Sequence, residues 1–197
     1  MVELSVKVTI NPKLIAILND LSPMARRELY STGGAALANV VRTHLRRVGS
    51  TKHATASRLG ATPTEHIIKG ANRVTSHSSA NGSIVSVPIA GISRAFAPLT
   101  IQAKNANALT IPVAAASYGH RVRELSRMGW NIFKPKGHDV LMGKMQGDKE
   151  AKTLYALRKR VVIRQDRSLL PSDPEVSRAI NIAIGKSIDQ HLRRKTA

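Results

Sequence analysis

Residues 22–48, with the sequence SPMARRELYSTGGAALANVVRTHLRRV, decide the fold because their pattern predicts one long α-helix. Ser22 is a suitable N-cap, and Pro23 suits the first helical position because its missing N–H costs no hydrogen bond there. Gly49 is the predicted stop. Apolar residues recur at spacings of three and four, which predicts one buried stripe. The stripe comprises Ala25, Leu29, Gly33, Ala36, Leu37, Val40, Val41, Leu45 and Val48. At about 1.5 Å per residue the helix is about 40 Å long, which suits a scaffold or an assembly surface.

Two features of this helix each allow two interpretations. Gly33 and Gly34 lie in its middle, where each glycine costs about 1 kcal/mol relative to alanine. Either another backbone approaches closely there, which we expect, or the helix is kinked or broken. Near the C-terminal end, Arg42, Arg46 and Arg47 either bind an acidic partner or are solvated and interact with the negative end of the helix dipole.

The composition describes a basic protein with an aliphatic core. The 197 residues include 31 Lys and Arg against 12 Asp and Glu, a net charge of +19 at pH 7. The excess is spread along the chain, since Glu65 is the only acid between Leu29 and Arg123. Such a surface attracts polyanions, so we expect either nucleic acid or acidic protein neighbours. Aromatic residues make up only 3%, so Val, Ile, Leu and Ala must form the core.

The sequence also excludes several classes of protein. It contains no cysteine, which excludes disulfides, thiolate catalysis and sulfur-ligated zinc. The N-terminus MVELSVKVTI lacks the pattern of a signal peptide, and no uncharged run is apolar enough to predict a membrane span.

The order of predicted elements favours an α+β fold, with the long helix and shorter helices packed on an antiparallel β-sheet in a single domain of residues 1–197. The long helix is preceded by a strand at Leu4–Ile10 and a short helix at Lys13–Leu21. An exposed loop at about 49–61 follows, and then a helix from a capping box at Thr62–Glu65 to about Val74. The next elements are a meander of strands at 84–89, 99–103 and 109–113, and one or two helical turns near 117–130. Strands at 131–133 and 140–145 come before a last helix that begins near Asp173 and ends near His191. Basic loops are expected to extend from residues 102–108 and 134–150. The segment 154–165 is ambiguous between helix and strand.

Residue patterns typical of catalysis are missing. The seven histidines are at positions 44, 53, 66, 77, 120, 138 and 191, and none has the spacing that places two metal ligands on one helical turn. Glycine-rich phosphate loops and nucleophile motifs are absent. Asp139 and Asp148 lie in turn sequences, where capping the turn is their expected role. We therefore predict no catalytic, cofactor-binding or metal-binding residues, and a protein that is not an enzyme.

The candidate contacts are therefore basic residues that attract phosphate or acidic surfaces without sequence specificity. The isolated aromatic residues Phe96, Tyr118 and Trp130 are expected to be core or interface anchors rather than a base-stacking platform. The candidate contact residues are Arg42, Arg46, Arg47, Lys52, Arg58, Lys104, Arg121 and Arg123.

Four stretches together resemble a known family. They are ARRELYSTGGAALANVVRTHL at 25–45, RLGATPTEHI at 58–67, LTIQAKNANALTIPVA at 99–114 and LPSDPEV at 170–176. In this order the chain resembles the tail-completion and neck proteins of long-tailed bacteriophages, also described as head-tail joining or virion morphogenesis proteins.

The resemblance implies a structural virion protein with an α+β fold that binds rather than catalyses. It implies a ring of identical subunits, six-fold in the family, between a tail terminator or tube protein and the connector or portal-side neck proteins. Genomic DNA would pass through the lumen without specific contacts. Assembly would take place in the host cytoplasm, with no membrane and no cofactor. The alternative is a non-specific basic DNA-binding or packaging protein that is not part of the virion.

Overall fold

The computed structural model of the chain describes residues 3–4, 21–104 and 106–196. Their contacts group into two compact units. Unit 1 consists of Met1–Ser50, His66–Ala97 and Asp166–Ala197, and unit 2 of Thr51–Glu65 and Pro98–Gln165. Strand β1 is described at Glu3–Leu4. The rest of the strand predicted at Leu4–Ile10 and nearly all of the helix predicted at Lys13–Leu21 lie outside the described residues.

Helix α1 spans Pro23–Gly49 without interruption and is the centre of unit 1. Its start is the predicted one, because the Ser22 hydroxyl accepts a hydrogen bond from the Ala25 N–H at 3.3 Å. Its end lies slightly later than predicted, since Gly49 is still helical and Ser50 is the C-cap. Gly49 has a packing role: a Cβ at this position would lie 2.7 Å from Cγ1 of Ile68.

The other elements of unit 1 pack around α1. They are α3 (His66–Ala71), β2 (Thr75–Ser79), β3 (Gly82–Ser86) and α5 (Asp173–Thr196). Strand β3 lies between β1 and β2, antiparallel to both. Short 3-10 turns at Ile92–Ala95 and Arg167–Leu169 complete the unit. Its core is aliphatic, as predicted, and includes Leu29, Leu37, Val41, Leu45, Ile67, Val74, Val85, Val87, Ile92, Leu169, Val176, Ile180 and Ile184.

Unit 2 is mainly antiparallel β-structure. A four-stranded sheet has the order β5 (Leu109–Pro112), β8 (Lys152–Arg158), β7 (Val140–Met145), β6 (Trp130–Phe133). A separate two-stranded sheet pairs β4 (Leu99–Gln102) with β9 (Arg160–Ile163). Helices α2 (Ala54–Leu59) and α4 (Val122–Arg127) and a 3-10 turn at Ala115–Ser117 complete the unit. Leu125, Leu154 and Tyr155 form its small buried core.

The α+β class, with a long helix, shorter helices and antiparallel sheets, is confirmed. The predicted meander is wrong, because the strands at 84–89, 99–103 and 109–113 belong to three different sheets. Strands β4 and β5 are consecutive in sequence, but each pairs with a distant partner, β9 and β8 respectively. The apolar alternation locates a strand but does not carry information about its partner.

Two local predictions before and at the start of α3 also need correction. The stretch predicted as an exposed loop at 49–61 contains α2, with Ala56 fully buried, and Gly60 ends the helix in the left-handed conformation at φ 63°. The capping box at Thr62–Glu65 does not form, because Glu65 adopts a φ of 53° and α3 begins only at His66. A six-residue helix is too short to show a convincing period in the sequence.

The predicted basic loop at 134–150 is interrupted by β7, so that it becomes two turns, 134–139 and 146–151. The segment 154–165, whose sequence is ambiguous between helix and strand, contains most of β8 and all of β9 and no helix. The packing of Leu154 agrees with this outcome, because Leu154 is fully buried against Gly143 of the paired strand β7, where an added Cβ would overlap the Leu154 side chain.

Candidate functional site

The best-formed concave site among the described residues is a cavity of about 540 Å³ in unit 1. It lies between the second half of α1, strand β3 and the chain that leads into α5. Its walls are mainly apolar, with polar groups at the start of α5. The lining residues are Leu37, Val41, His44, Val85, Ala95, Phe96, Arg167, Ser168, Leu170, Pro171, Ser172, Asp173, Glu175 and Val176. A cavity of this size and character is a default candidate for ligand binding.

His44 is the buried polar residue of this cavity, with 8% of its surface exposed. Its Nε2–H donates to the carbonyl oxygen of Ser168 at 2.9 Å, so Nδ1 is free to accept from Nη2 of Arg47 at 3.1 Å. The carboxylate of Glu175 lies 3.9 Å from Nη2 of Arg47 and 4.0 Å from Nδ1 of His44. These contacts tie the end of α1 to the first turn of α5.

A serine and an aspartate lie near His44, but the three do not form a catalytic relay. In such a relay the imidazole must contact the hydroxyl of the nucleophile. Here His44 contacts the backbone carbonyl of Ser168, while the Ser168 hydroxyl donates to Oδ1 of Asp166 at 2.6 Å. Asp166 also accepts from the Ser168 N–H at 3.2 Å, which caps the 3-10 turn. The arrangement therefore stabilises a turn.

The three arginines near the end of α1 are engaged within unit 1. Arg42 donates through Nε and Nη2 to the carbonyl oxygen of Val74, at 3.1 and 2.8 Å. Arg46 donates to Oδ1 of Asn72 at 2.7 Å, and Arg47 contacts His44 and Glu175 as described above. Arg42 and Arg46 thus hold the segment that links α3 to β2.

The two helix glycines face different neighbours. At Gly33, an added Cβ would lie 3.3 Å from Cδ1 of Ile184 in α5, a tight contact. At Gly34, it would lie 2.8 Å from Cβ and Oγ of Ser83 in β3, closer than two such atoms approach. The helix is therefore packed against α5 on one side and against the β2–β3 hairpin on another.

The remaining candidate contacts are in unit 2, at separate places along its chain. Lys52 is half-buried, and Arg58 is exposed in the last turn of α2. Lys104 is exposed in the loop after β4. Arg121 and Arg123 are exposed at the start of α4, where the carboxylate of Glu124 accepts from the Arg121 N–H at 2.8 Å.

Strand pairing brings to Lys104 a second set of cations that are not among the candidates predicted from the sequence. The run Arg158–Lys159–Arg160 joins β8 to β9, and Lys134 and Lys136 lie in the turn between β6 and β7. All of these side chains are exposed. Together with Lys104, these cations form a patch that we call the basic end of the four-stranded sheet. It consists of Lys104, Lys134, Lys136, Arg158, Lys159 and Arg160. The RKR run is visible in the sequence, but its neighbours are not.

Tyr155, in the core of unit 2, has a perturbed acidity. Burial, and to a smaller extent the negative charge of Glu124, raise the pKa of its phenol above 10.0. The hydroxyl donates to the carbonyl oxygen of His120 at 2.9 Å. The group is therefore a neutral hydrogen-bond donor that holds the loop before α4.

Within the part of the chain that the structure describes, no group of three His, Asp or Glu residues is placed to hold a metal ion. Among the same residues, no helix combines the length and the apolar character needed to cross a membrane. Comparison of the chain with protein-family models, with curated proteins and with solved structures found no match.

Proposed function

We propose that this chain is a structural virion protein of the neck or tail end of a bacteriophage, which forms a ring that joins the tail to the connector and surrounds the DNA path. The observation that carries the proposal is the exposed and poorly neutralised positive charge of unit 2. This unit contains fifteen Lys and Arg against five acids. Such a surface needs a polyanion or an acidic neighbour to offset its self-repulsion.

Two further features support an assembly role. Helix α1, at 27 residues, is long for a chain of this size, and Arg42 and Arg46 near its end form hydrogen bonds within unit 1. The cavity beside it contains a histidine whose two nitrogens are both engaged, and the nearby Ser168 hydroxyl donates to Asp166. Binding to neighbours accounts for these observations without a reaction. The resemblance to neck and tail-completion proteins supplies the kind of assembly.

The proposal is tested by removing the gene from a phage that carries it and examining the lysate by electron microscopy. We expect DNA-filled heads and separate tails that fail to join, and joining is restored when the purified protein is added. Reconstruction of the intact particle should place the chain as a ring at the head-tail junction. Intact, infective particles without the chain would overturn the proposal.

The second candidate is a non-specific DNA-binding or packaging protein outside the virion. The same exposed cations favour it, because they bind phosphate wherever they meet it. The two candidates differ in location. A chain that is abundant in infected cells and absent from purified particles would be a packaging protein, whereas a fixed copy number in each particle supports the neck assignment.

A further inference from the structure

We propose that the basic end of the four-stranded sheet is the surface of this chain that contacts the phosphate backbone of duplex nucleic acid. The proposal rests on the proposed function, which places DNA beside the chain, and adds which residues face it. The candidates Arg42, Arg46 and Arg47 of α1 each form hydrogen bonds within unit 1, so they are less available for this contact.

Strand pairing places these cations side by side. The Ala103 N–H donates to the carbonyl oxygen of Lys159 at 3.2 Å, which brings Lys104 beside the RKR run. Leu109 pairs with Arg158 where β5 begins and β8 ends. On the other side of β8, the Leu157 N–H donates to the carbonyl oxygen of Asp139 at 2.8 Å, which brings the turn 134–139 to the same end.

These contacts fix the size of the patch. Adjacent strands in a sheet are about 4.8 Å apart, so the ends of β5, β8 and β7 together span about 10 Å, and the lysine side chains extend the reach further. Duplex DNA carries one negative charge per about 1.7 Å of its axis. Several phosphates are therefore within reach of the patch at once.

The two ends of the sheet differ in charge. The basic end carries six Lys and Arg, and its one acid is Asp139, which lies 3.8 Å from Nζ of Lys134. The opposite end carries Lys144, Lys149 and Lys152 together with Asp148 and Glu150. Helix α4, which leads into the start of β6 there, adds Arg123, Arg127 and Glu124, so this end carries a smaller excess of positive charge. Among the described residues of the basic end, Lys104, Lys136, Lys159 and Arg160 form no ion pair.

The character of this surface favours nucleic acid over an acidic protein. A stable protein interface has an apolar core that is well packed. Three large exposed apolar side chains adjoin the basic end, each on a different strand: Ile101 at 38%, Phe133 at 45% and Val162 at 54% exposed. They are single side chains and do not form a packed apolar core. The remaining surface consists of Lys and Arg on a loop, a turn and a strand junction. Such side chains adapt to a uniform backbone of phosphates, and arginine can form paired hydrogen bonds with one phosphate.

The test compares two triple variants of the full chain that lose the same charge. The first is Lys104→Gln, Lys136→Gln and Lys159→Gln at the basic end. The control is Lys144→Gln, Lys149→Gln and Lys152→Gln at the opposite end. Binding to a short duplex of arbitrary sequence is measured by fluorescence anisotropy between about 50 and 200 mM salt, and the slope of log Kobs against log[salt] is compared.

Each phosphate contact contributes about 0.9 to this slope, so loss of three contacts should make it shallower by about 2.7. We expect this change in the basic-end variant and a change below about 1 in the control. A third variant with arginine at the same three basic-end positions should keep the wild-type slope. The two glutamine variants should melt at similar temperatures, because they lose the same charge and the ladder hydrogen bonds involve backbone atoms only.

Two results would overturn the assignment. Equal slopes for the two glutamine variants would show that binding depends on net charge and not on this surface. Displacement of the duplex by polyglutamate at equal charge concentration would show that the surface accepts acidic protein as well as phosphate. Neither result bears on location in the particle. If the slopes are equal and the basic-end variant is still incorporated into particles, the surface assignment fails and the proposed function stands.

Discussion

Gly34 of α1 lies so close to Ser83 of β3 that one added carbon would overlap it. Ser83 cannot move aside easily, because its hydroxyl contacts Ser78 Oγ at 2.6 Å and the carbonyl oxygen of Tyr30. The glycine thus allows the helix to lie directly on the hairpin. A glycine in the middle of a helix also lowers the stability of the helix, because it loses more backbone entropy on folding than other residues do.

Gly34→Ala should therefore lower the free energy of unfolding, by at least about 1 kcal/mol, although alanine is the better helix former. The matched control is Gly185→Ala in α5, where an added Cβ meets nothing within 4 Å. The control should raise stability by up to about 1 kcal/mol. Urea unfolding followed by circular dichroism measures both. Two changes of the same sign would contradict the close-contact explanation.

We also expect the side chain of Arg42 to contribute to the stability of the fold. Two of its nitrogens donate to one carbonyl oxygen, and the side chain is only partly exposed, so Arg42→Gln should cost about 1.5–3 kcal/mol of stability. Arg46→Gln, which removes a single bond at an exposed site, should cost less than about 1 kcal/mol. Chemical denaturation of the two variants decides the order. If Arg42→Gln instead left stability intact and weakened duplex binding, Arg42 would be a phosphate contact.

At the scale of elements, the sequence predicts what local chemistry determines. The start of α1 follows from the Ser22 cap and Pro23, and the hairpin turn before β3 follows from Asn81-Gly82. Strand β2, with the polar sequence TSHSS, has no apolar alternation and was missed. It forms because β3 and α1 supply its partners, and these contacts are distant in sequence.

The candidate site shows the same division. Its charge is evident from the composition, and the RKR run is printed in the sequence. Its location depends on the pairing of β8 with β5 and of β9 with β4, between residues more than 40 positions apart. Local propensity cannot encode such a register, because the partner strand and its apolar face set it.

The two sheets of unit 2 should differ in local stability. Strands β4 and β9 form a pair without further strands, and Val162 is 54% exposed. Two-stranded sheets are marginal in water. The paired amides of β4 and β9 should therefore exchange with deuterium faster than those between β7 and β8, which lie inside the four-stranded sheet over the buried Leu154. Mass spectrometry of exchanged peptides measures this, and equal protection would contradict it.

At the scale of the whole molecule, the charge of +19 acts on stability as well as on binding. Like charges repel more strongly in the folded chain than in the expanded unfolded one, so the folded state is destabilised by its own charge. Both units carry the excess, with sixteen Lys and Arg against seven acids in unit 1 and fifteen against five in unit 2. Ion pairs such as Arg94–Asp166, at 3.8 Å, offset only part of it.

Salt and DNA should therefore both stabilise the protein, but not additively. Raising the salt from about 0.01 to 0.15 M shortens the Debye length from about 30 to 8 Å, so the melting temperature should rise. Duplex DNA at low salt should raise the melting temperature further, because DNA binds the folded state. At a DNA concentration about one hundred times Kd, this binding adds about 2.7 kcal/mol to the free energy of unfolding. At high salt the effect of DNA should disappear, because counterion release no longer drives binding. Scanning calorimetry at four combinations of salt and duplex measures this. A melting temperature that falls with salt in the absence of DNA would show that ion pairs within the fold outweigh repulsion.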